Sequence, residues 1–221
     1  PRTEAYRSIR TNLQYVDVDN PPSSVVITSS MPVEGKSTTA LNLAIALAQS
    51  DTRVLLVEAD LRRPKLAEYM GVTATAGLTD ILSSQARLDE VIMSWHRGLL
   101  DFLPCGAIPP NPSELLGSRQ LADLLTQLTT SYDVVILDAP PLLPVTDAAV
   151  LAAAADGAIL VTRYGATSHE QASQAADSLH QVNARLLGTV LNFVPGGRRK
   201  SSYHYDYRTN DQQTNEPGLG V

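Results

Sequence analysis

"SSMPVEGKST", residues 29–38, stands between the apolar run "SVVIT" (24–28) and the helix-patterned "TALNLAIALA" (39–48). Where a buried strand turns into a helix, the turn presents unpaired backbone N–H groups and the positive end of the helix dipole. The guest of such a turn is an anion. Within it, "SMPVEGKS" (30–37) matches a Walker A phosphate loop, except that Ser30 stands at the usual first glycine. Gly35 lets backbone amides approach phosphate oxygens, Lys36 brings positive charge to the β and γ phosphates, and Ser37 offers a hydroxyl to Mg²⁺. Met31, Pro32, Val33, Glu34 and Thr38 complete the candidate nucleotide loop. The competing reading, a plain strand-to-helix turn with a solvated lysine, does not account for the residue types at this spacing.

Working outward, six short runs rich in Val, Ile and Leu read as strands: "SSVVIT" from Ser23, "RVLLVEA" from Arg53, "LLDFLP" from Leu99, "YDVVILDA" from Tyr132, "GAILVT" from Gly157 and "RLLGTVLNFV" from Arg185. They are continuous rather than alternating, which predicts strands buried on both faces. Helical patterns lie between them: "STTALNLAIALAQ", "SELLGSRQLADLLTQL", "TDAAVLAAAA" and "SHEQASQAADSLHQV". The alternation implies an α/β fold, a mostly parallel sheet covered by helices on both faces, with its ligand at the carboxyl ends of the strands. Residues 1–15 read as an amphipathic helix ahead of the first strand. Beyond residue 194 the sequence has few aliphatics and many Gly, Asn, Gln and Ser, so 1–194 is expected to be one domain and 195–221 a flexible tail.

Two of these strands end in acids. "VLLVEADLRRP" places Glu58 and Asp60 two residues apart, on one side of an extended chain. "VVILDAPP" places Asp138 at a strand end before a rigid Pro-Pro turn. Alone, each could be a helix cap or a solvated loop acid. Beside a phosphate loop they form a set of oxygen donors suited to Mg²⁺, which keeps several waters, bridges phosphates and needs only one or two carboxylates.

Composition excludes several classes. The 221 residues are 43% apolar, enough for a sizeable core, and the net charge of −6 argues against a nucleic-acid surface. The single cysteine, Cys105, forbids an intrachain disulfide and suits a reducing interior; with no histidine near it in sequence it reads as a core residue, not a nucleophile. His96, His169, His180 and His204 lack metal-ligand spacing. No run approaches the roughly 18 apolar residues of a membrane span.

The order "SSMPVEGKSTT", "VLLVEADLRRP", "GAIPPNPSELL", "YDVVILDAPP" resembles the bacterial tyrosine kinase (BY-kinase) family, cytoplasmic P-loop kinases that control capsular and exopolysaccharide production. The resemblance runs from Glu4 to the tyrosines near the end and implies a fold of the partitioning-ATPase-like branch. It implies ATP and Mg²⁺, with Lys36 on phosphate, Ser37 and Asp138 on the metal, and Asp60 in the metal's neighbourhood. "VEADLR" matches the family's Walker A′ motif, whose first acid is its candidate base for the tyrosine hydroxyl. That position is Glu58, where the family usually has Asp; Val33 likewise replaces a common Gly. By the same resemblance Tyr203, Tyr205 and Tyr207 match the tyrosine cluster phosphorylated in trans. Glu4, Arg7 and Arg10, spaced by three on one helical face, match the E-x-x-R-x-x-R oligomerisation motif of a ring in which each charge finds a partner across the interface. From the residues alone, that row also reads as a solvated face.

Asn192, after the last strand, stands where related P-loop ATPases often recognise the base. The implied partners are further copies of the chain, a membrane chain-length-regulator adaptor, fused or separate, and a cognate tyrosine phosphatase. The implied location is the inner face of the membrane, and a start at Pro1 without methionine favours the fused arrangement. Two other functions compete. A partitioning-type ATPase usually carries an extra lysine early in its loop, where this chain has Ser30 and Met31. A catalytically weak nucleotide-binding scaffold would accord with Glu58.

Overall fold

Each of the six expected runs forms a strand, and a seventh strand joins them. The computed structural model describes residues 2–95, 98 and 100–195. The strands are β1 (Ser24–Ser29), β2 (Val54–Glu58), β3 (Met93–Trp95), β4 (Leu100–Leu103), β5 (Val134–Asp138), β6 (Gly157–Arg163) and β7 (Leu186–Asn192). They form one sheet in the order β3-β4-β2-β5-β1-β6-β7, parallel except for the antiparallel β3–β4 pair at one edge. β3 escapes sequence reading because "MSW" is too short to carry a period and none of its residues is fully buried.

Helices α1 (Arg2–Tyr15), α2 (Lys36–Ala48) and α3 (Leu66–Met70) cover one face of the sheet. The other face is covered by α4 (Leu78–Leu82), α5 (Leu88–Val91), α6 (Pro112–Leu116), α7 (Arg119–Ser131), α8 (Asp147–Ala154) and α9 (His169–Gln181). The strands serve both layers by alternation. Val25 and Ile27 pack with α2, whereas Val26 between them packs with the opposite layer. On α2 the buried positions Ala40, Leu43, Ala44, Leu47 and Ala48 follow helical spacing, which turns one stripe onto the sheet. Fully buried side chains such as Phe102, Leu55 and Leu56 each contribute about 1.5–3 kcal/mol to holding the layers together.

Two expectations are corrected. "SELLGSRQLADLLTQL" is not one helix: it breaks at Gly117, and Ser118 starts α7 by accepting a hydrogen bond from the Leu121 N–H at 3.3 Å. β7 is not buried on both faces, since every one of its residues keeps some exposure and Leu191 is largely open. Its apolar composition reflects pairing with β6 and partial cover by α1, while its outer edge has no strand beside it among the described residues.

The strand order positions the chemistry. β5 lies between β2 and β1, so Asp138 is in register with Glu58 on one side and Ile27 on the other. The β1–α2 loop and the acids that end β2 and β5 therefore converge at the carboxyl edge of the sheet.

Candidate active site

The loop between β1 and α2 is built around Gly35, whose φ of 90° lies in the left-handed region and whose missing Cβ would stand 2.2 Å from Asn192 Nδ2. Only glycine satisfies both constraints. Lys36 opens α2 and folds back into the loop: its Nζ donates to Asp60 Oδ2 at 2.7 Å and to Ser37 Oγ at 3.3 Å, and lies 3.5 Å from Asp138 Oδ1. Burial works against its charge, but Asp138 and Asp60 more than offset that and hold the ammonium above its ordinary range. Asp60 is fixed in turn by the backbone N–H groups of Arg62 and Arg63, at 3.3 and 3.0 Å. Lys36, Ser37 and Asp60 line a cleft of about 560 Å³ whose far wall carries Pro140, Pro141, Pro144 and Tyr69.

Asp138 is completely buried; neither of its oxygens accepts a well-formed hydrogen bond among the described residues, and the nearest cation is Lys36, whose Nζ lies 3.5 Å from Oδ1. A buried carboxylate with unfilled acceptor positions, beside a serine hydroxyl and a second carboxylate, fits a hard divalent cation such as Mg²⁺. Burial pushes its pKa up to about 6, with Lys36 opposing. Because that folded value exceeds the ordinary one of 3.8, the folded protein keeps a proton that the unfolded chain releases, and stability falls as pH rises from about 4 to about 6. Without nucleotide or metal, Asp138→Asn removes that loss and raises stability at pH 8 on the order of 2–3 kcal/mol. Melting curves at pH 5 and pH 8 check this: the difference between wild type and variant is present at pH 5 and about twice as large at pH 8.

The expected base is placed differently. Glu58 is 1% exposed and does not line the cleft. Its Oε1 accepts from the N–H of Leu66 at 2.5 Å and of Ala67 at 3.4 Å, while its Oε2 accepts from the N–H of Cys105 at 3.2 Å. It therefore caps the start of α3 and ties it to the end of β4. The extra methylene relative to Asp carries the carboxylate to the α3 backbone. Cys105 beside it is buried, and desolvation, with Glu58 adding, pushes its thiol up to about 12, too high for a nucleophile at neutral pH.

Other candidates are distributed as follows. Met31 donates its N–H to Glu34 Oε2 at 2.9 Å, and Glu34 Oε1 accepts from the Thr167 hydroxyl. Pro32, Val33 and Thr38 line the cleft. Asn192 Nδ2 donates to the Glu34 carbonyl at 3.2 Å, so in this structure its amide braces the loop. In α1, Glu4 and Arg7 pair with each other at 3.4 Å on the exposed face, but Arg10 turns inward and donates to the Ala46 carbonyl of α2 at 3.0 Å. Arg10 thus braces α1 against α2 through a backbone carbonyl, and no salt bridge of its charge is found among the described residues. Tyr203, Tyr205 and Tyr207 lie outside the described residues.

Sequence reading missed two supports. Arg163 donates to the Val33 carbonyl at 3.3 Å, and Thr167 accepts from the Arg163 N–H at 2.7 Å while donating to Glu34, so the β6–α9 connection grips the phosphate loop. Arg62 makes a paired contact with the fully buried Asp147, at 2.7 and 3.0 Å, and reaches Ser113 at 3.3 Å, locking the arm after β2 to α6 and α8. The three residues of this link fall in three separate stretches, "VLLVEADLRRP", "GAIPPNPSELL" and "TDAAVLAAAA", with no local pattern joining them.

Val33 has φ of 65° although it is β-branched, and it is 77% exposed. A side chain there costs of order 1–3 kcal/mol, partly offset by glycine's greater freedom when unfolded. Val33→Gly is expected to stabilise by about 1 kcal/mol and raise the thermal midpoint by about 2–4 °C. A midpoint unchanged or lowered in calorimetry contradicts that account.

The family model described as an AAA domain matches residues 33–191. The chain is 42% identical to tyrosine-protein kinase YwqD of Bacillus subtilis over 93% of its own length and 84% of that protein's. The chain belongs to the bacterial tyrosine-protein kinase family. Against tyrosine-protein kinase etk of Escherichia coli K12 it is 35% identical over 92% of its length but spans only 28% of that longer protein. The solved kinase domain of that E. coli enzyme superposes with a TM-score of 0.85, covering 93% of this chain and 80% of that one, at 35% identity. The septum site-determining protein MinD of Pyrococcus horikoshii, solved with Mg-ADP, is a more distant likeness, with a TM-score of 0.66 and 27% identity over 76% of this chain and 69% of that one. The fold is thus that of P-loop nucleotide-binding proteins, and the kinase branch lies nearer than the MinD branch.

Proposed function

We propose that the chain is an ATP-dependent protein tyrosine kinase that phosphorylates its own C-terminal tyrosines in trans and so regulates capsular or exopolysaccharide synthesis and export. The observation that carries this reading is Lys36 held charged between Asp60 and Asp138 at the head of an open cleft, in a chain of this family.

The N–H groups of the loop and the first turn of α2 receive the triphosphate, and Lys36 places its charge against the β and γ phosphates. Ser37 and Asp138 would hold Mg²⁺, which when bound would supply Lewis-acid neutralisation of the phosphate charge. Asp60, the carboxylate that faces the cleft, takes the phenolic proton as the tyrosine oxygen bonds to the γ phosphorus. The bond from that phosphorus to the bridging oxygen breaks, and ADP leaves. Glu58 acts one step removed, by holding α3 and the arm that carries Asp60.

Glu4 and Arg7, exposed on α1, support assembly into a ring, with 1–194 as the kinase domain and 195–221 as the tail offered to a neighbour. From Val194 to Tyr203 an extended chain spans at most roughly 30 Å, enough to reach an adjacent subunit. No described helix is long and apolar enough to cross a membrane. Membrane placement comes through an adaptor, fused or separate, at the cytoplasmic face, and a tyrosine phosphatase reverses the modification.

The test is incubation with Mg²⁺ and ATP, with and without an adaptor's cytoplasmic fragment, followed by mass-spectrometric mapping of phosphotyrosine. Label on Tyr203, Tyr205 or Tyr207 is the expected result. Steady phosphate release without labelled protein would instead mean a switching ATPase, and nucleotide binding with neither would mean a scaffold.

A further inference from the structure

We propose, resting on the kinase reading, that Arg63 selects acceptor tyrosines that carry a carboxylate beside them. Beyond the phosphate loop, the cleft wall is made of Pro140, Pro141, Pro144, Val145 and the ring of Tyr69. Such flat apolar faces suit a phenol ring. Four cations line the same cleft: Lys36, Arg62, Arg63 and Lys65.

Three of the four are already matched. Lys36 pairs with Asp60 and Asp138, Arg62 is held by Asp147, and Lys65 contacts Glu68 at 2.7 Å. Arg63 donates its backbone N–H to Asp60, which fixes its place beside the cleft acid, yet its guanidinium has no hydrogen bond or ion pair among the described residues and is exposed. An unmatched guanidinium at the rim of a peptide site complements a carboxylate on the incoming peptide and rejects a basic one.

The chain's own sequence contains such a partner. In "SYHYDYR" (202–208), Asp206 adjoins Tyr205 and Tyr207 and is three residues from Tyr203. Arg63 therefore favours Tyr205, which has Asp206 beside it and no cationic Arg or Lys; Tyr207 has Asp206 on one side and Arg208 on the other, and Tyr203 has no adjacent acid. The enzyme thereby gains a preference for acid-flanked tyrosines in other proteins.

The experiment uses the full chain with saturating Mg²⁺ and ATP, and two synthetic peptides: "SSYHYDYRTN" (201–210) and its D206N version. The wild type is expected to show a KM about fivefold higher for the D206N peptide at similar kcat, the size of an exposed ion pair of roughly 1 kcal/mol. Arg63→Gln should lose that difference, and Arg63→Glu should restore it for a D206K peptide. In the full chain, Tyr205 should be labelled before Tyr203, and D206N should erase that order. Equal KM values for the two peptides with the wild type overturn the proposal. So does an Arg63→Gln change that raises the KM of both peptides alike, or that of ATP instead. Labelling both peptides alike leaves the kinase reading standing and removes this one; labelling neither peptide nor the chain itself removes both.

Discussion

Lys36→Met is expected to lower tyrosine phosphorylation by about 10²–10³-fold, because it deletes the cation that the proposed mechanism sets against the β and γ phosphates. Methionine keeps much of the length and none of the charge, so the loss is electrostatic rather than steric. A second effect follows from the same contacts. Asp60 and Asp138 are left as two acids sharing a buried space with no cation between them, and each disfavours ionisation of the other. The variant without nucleotide should therefore be less stable at pH 8 than at pH 5 by a wider margin than the wild type. Phosphate incorporation at saturating ATP and Mg²⁺ measures the first effect, and melting at the two pH values the second. Incorporation above about a tenth of wild type would be incompatible with the role of Lys36.

Glu58→Ala should unfold the protein more readily without touching the reacting atoms. Three backbone N–H groups lose their acceptor, those of Leu66 and Cys105 in buried positions and that of Ala67 in a partly buried one. Stranding buried donors around a lost carboxylate costs about 3–5 kcal/mol, which in a domain of this size lowers the thermal midpoint by roughly 10 °C. Asp60→Asn makes the contrasting case: transfer falls by about 10²–10⁴-fold while the fold persists. Calorimetry and label incorporation on both variants separate the two roles. A Glu58→Ala protein that melts like the wild type but transfers no phosphate would return the base to Glu58.

Much of this was readable from the chain. The apolar runs from Ser24, Val54, Val134 and Gly157 are strands because each is short, continuous and closed by turn residues, and the ends of β1, β2 and β5 carry the loop and acids in one cluster. What could not be read depends on where side chains turn. Spacing puts Glu58 and Asp60 on one side of an extended strand, but the chain leaves the strand at Glu58, and the two carboxylates take separate surroundings. Arg10 shares a helical face with Glu4 and Arg7, yet it sits next to the α2 carbonyls while they face solvent. Thr167 and Asp147 act on the site from more than eighty residues away in sequence, through contacts that no local pattern announces.

The grip on the phosphate loop from Thr167, Arg163 and Asn192 has a thermodynamic corollary. The mould that receives the triphosphate is cast when β6 and β7 join the sheet, so little backbone freedom is left to be surrendered on ligand capture. Changes at Thr167 or Arg163 should weaken affinity by loosening the mould, an effect transmitted through their hydrogen bonds to Glu34 and Val33.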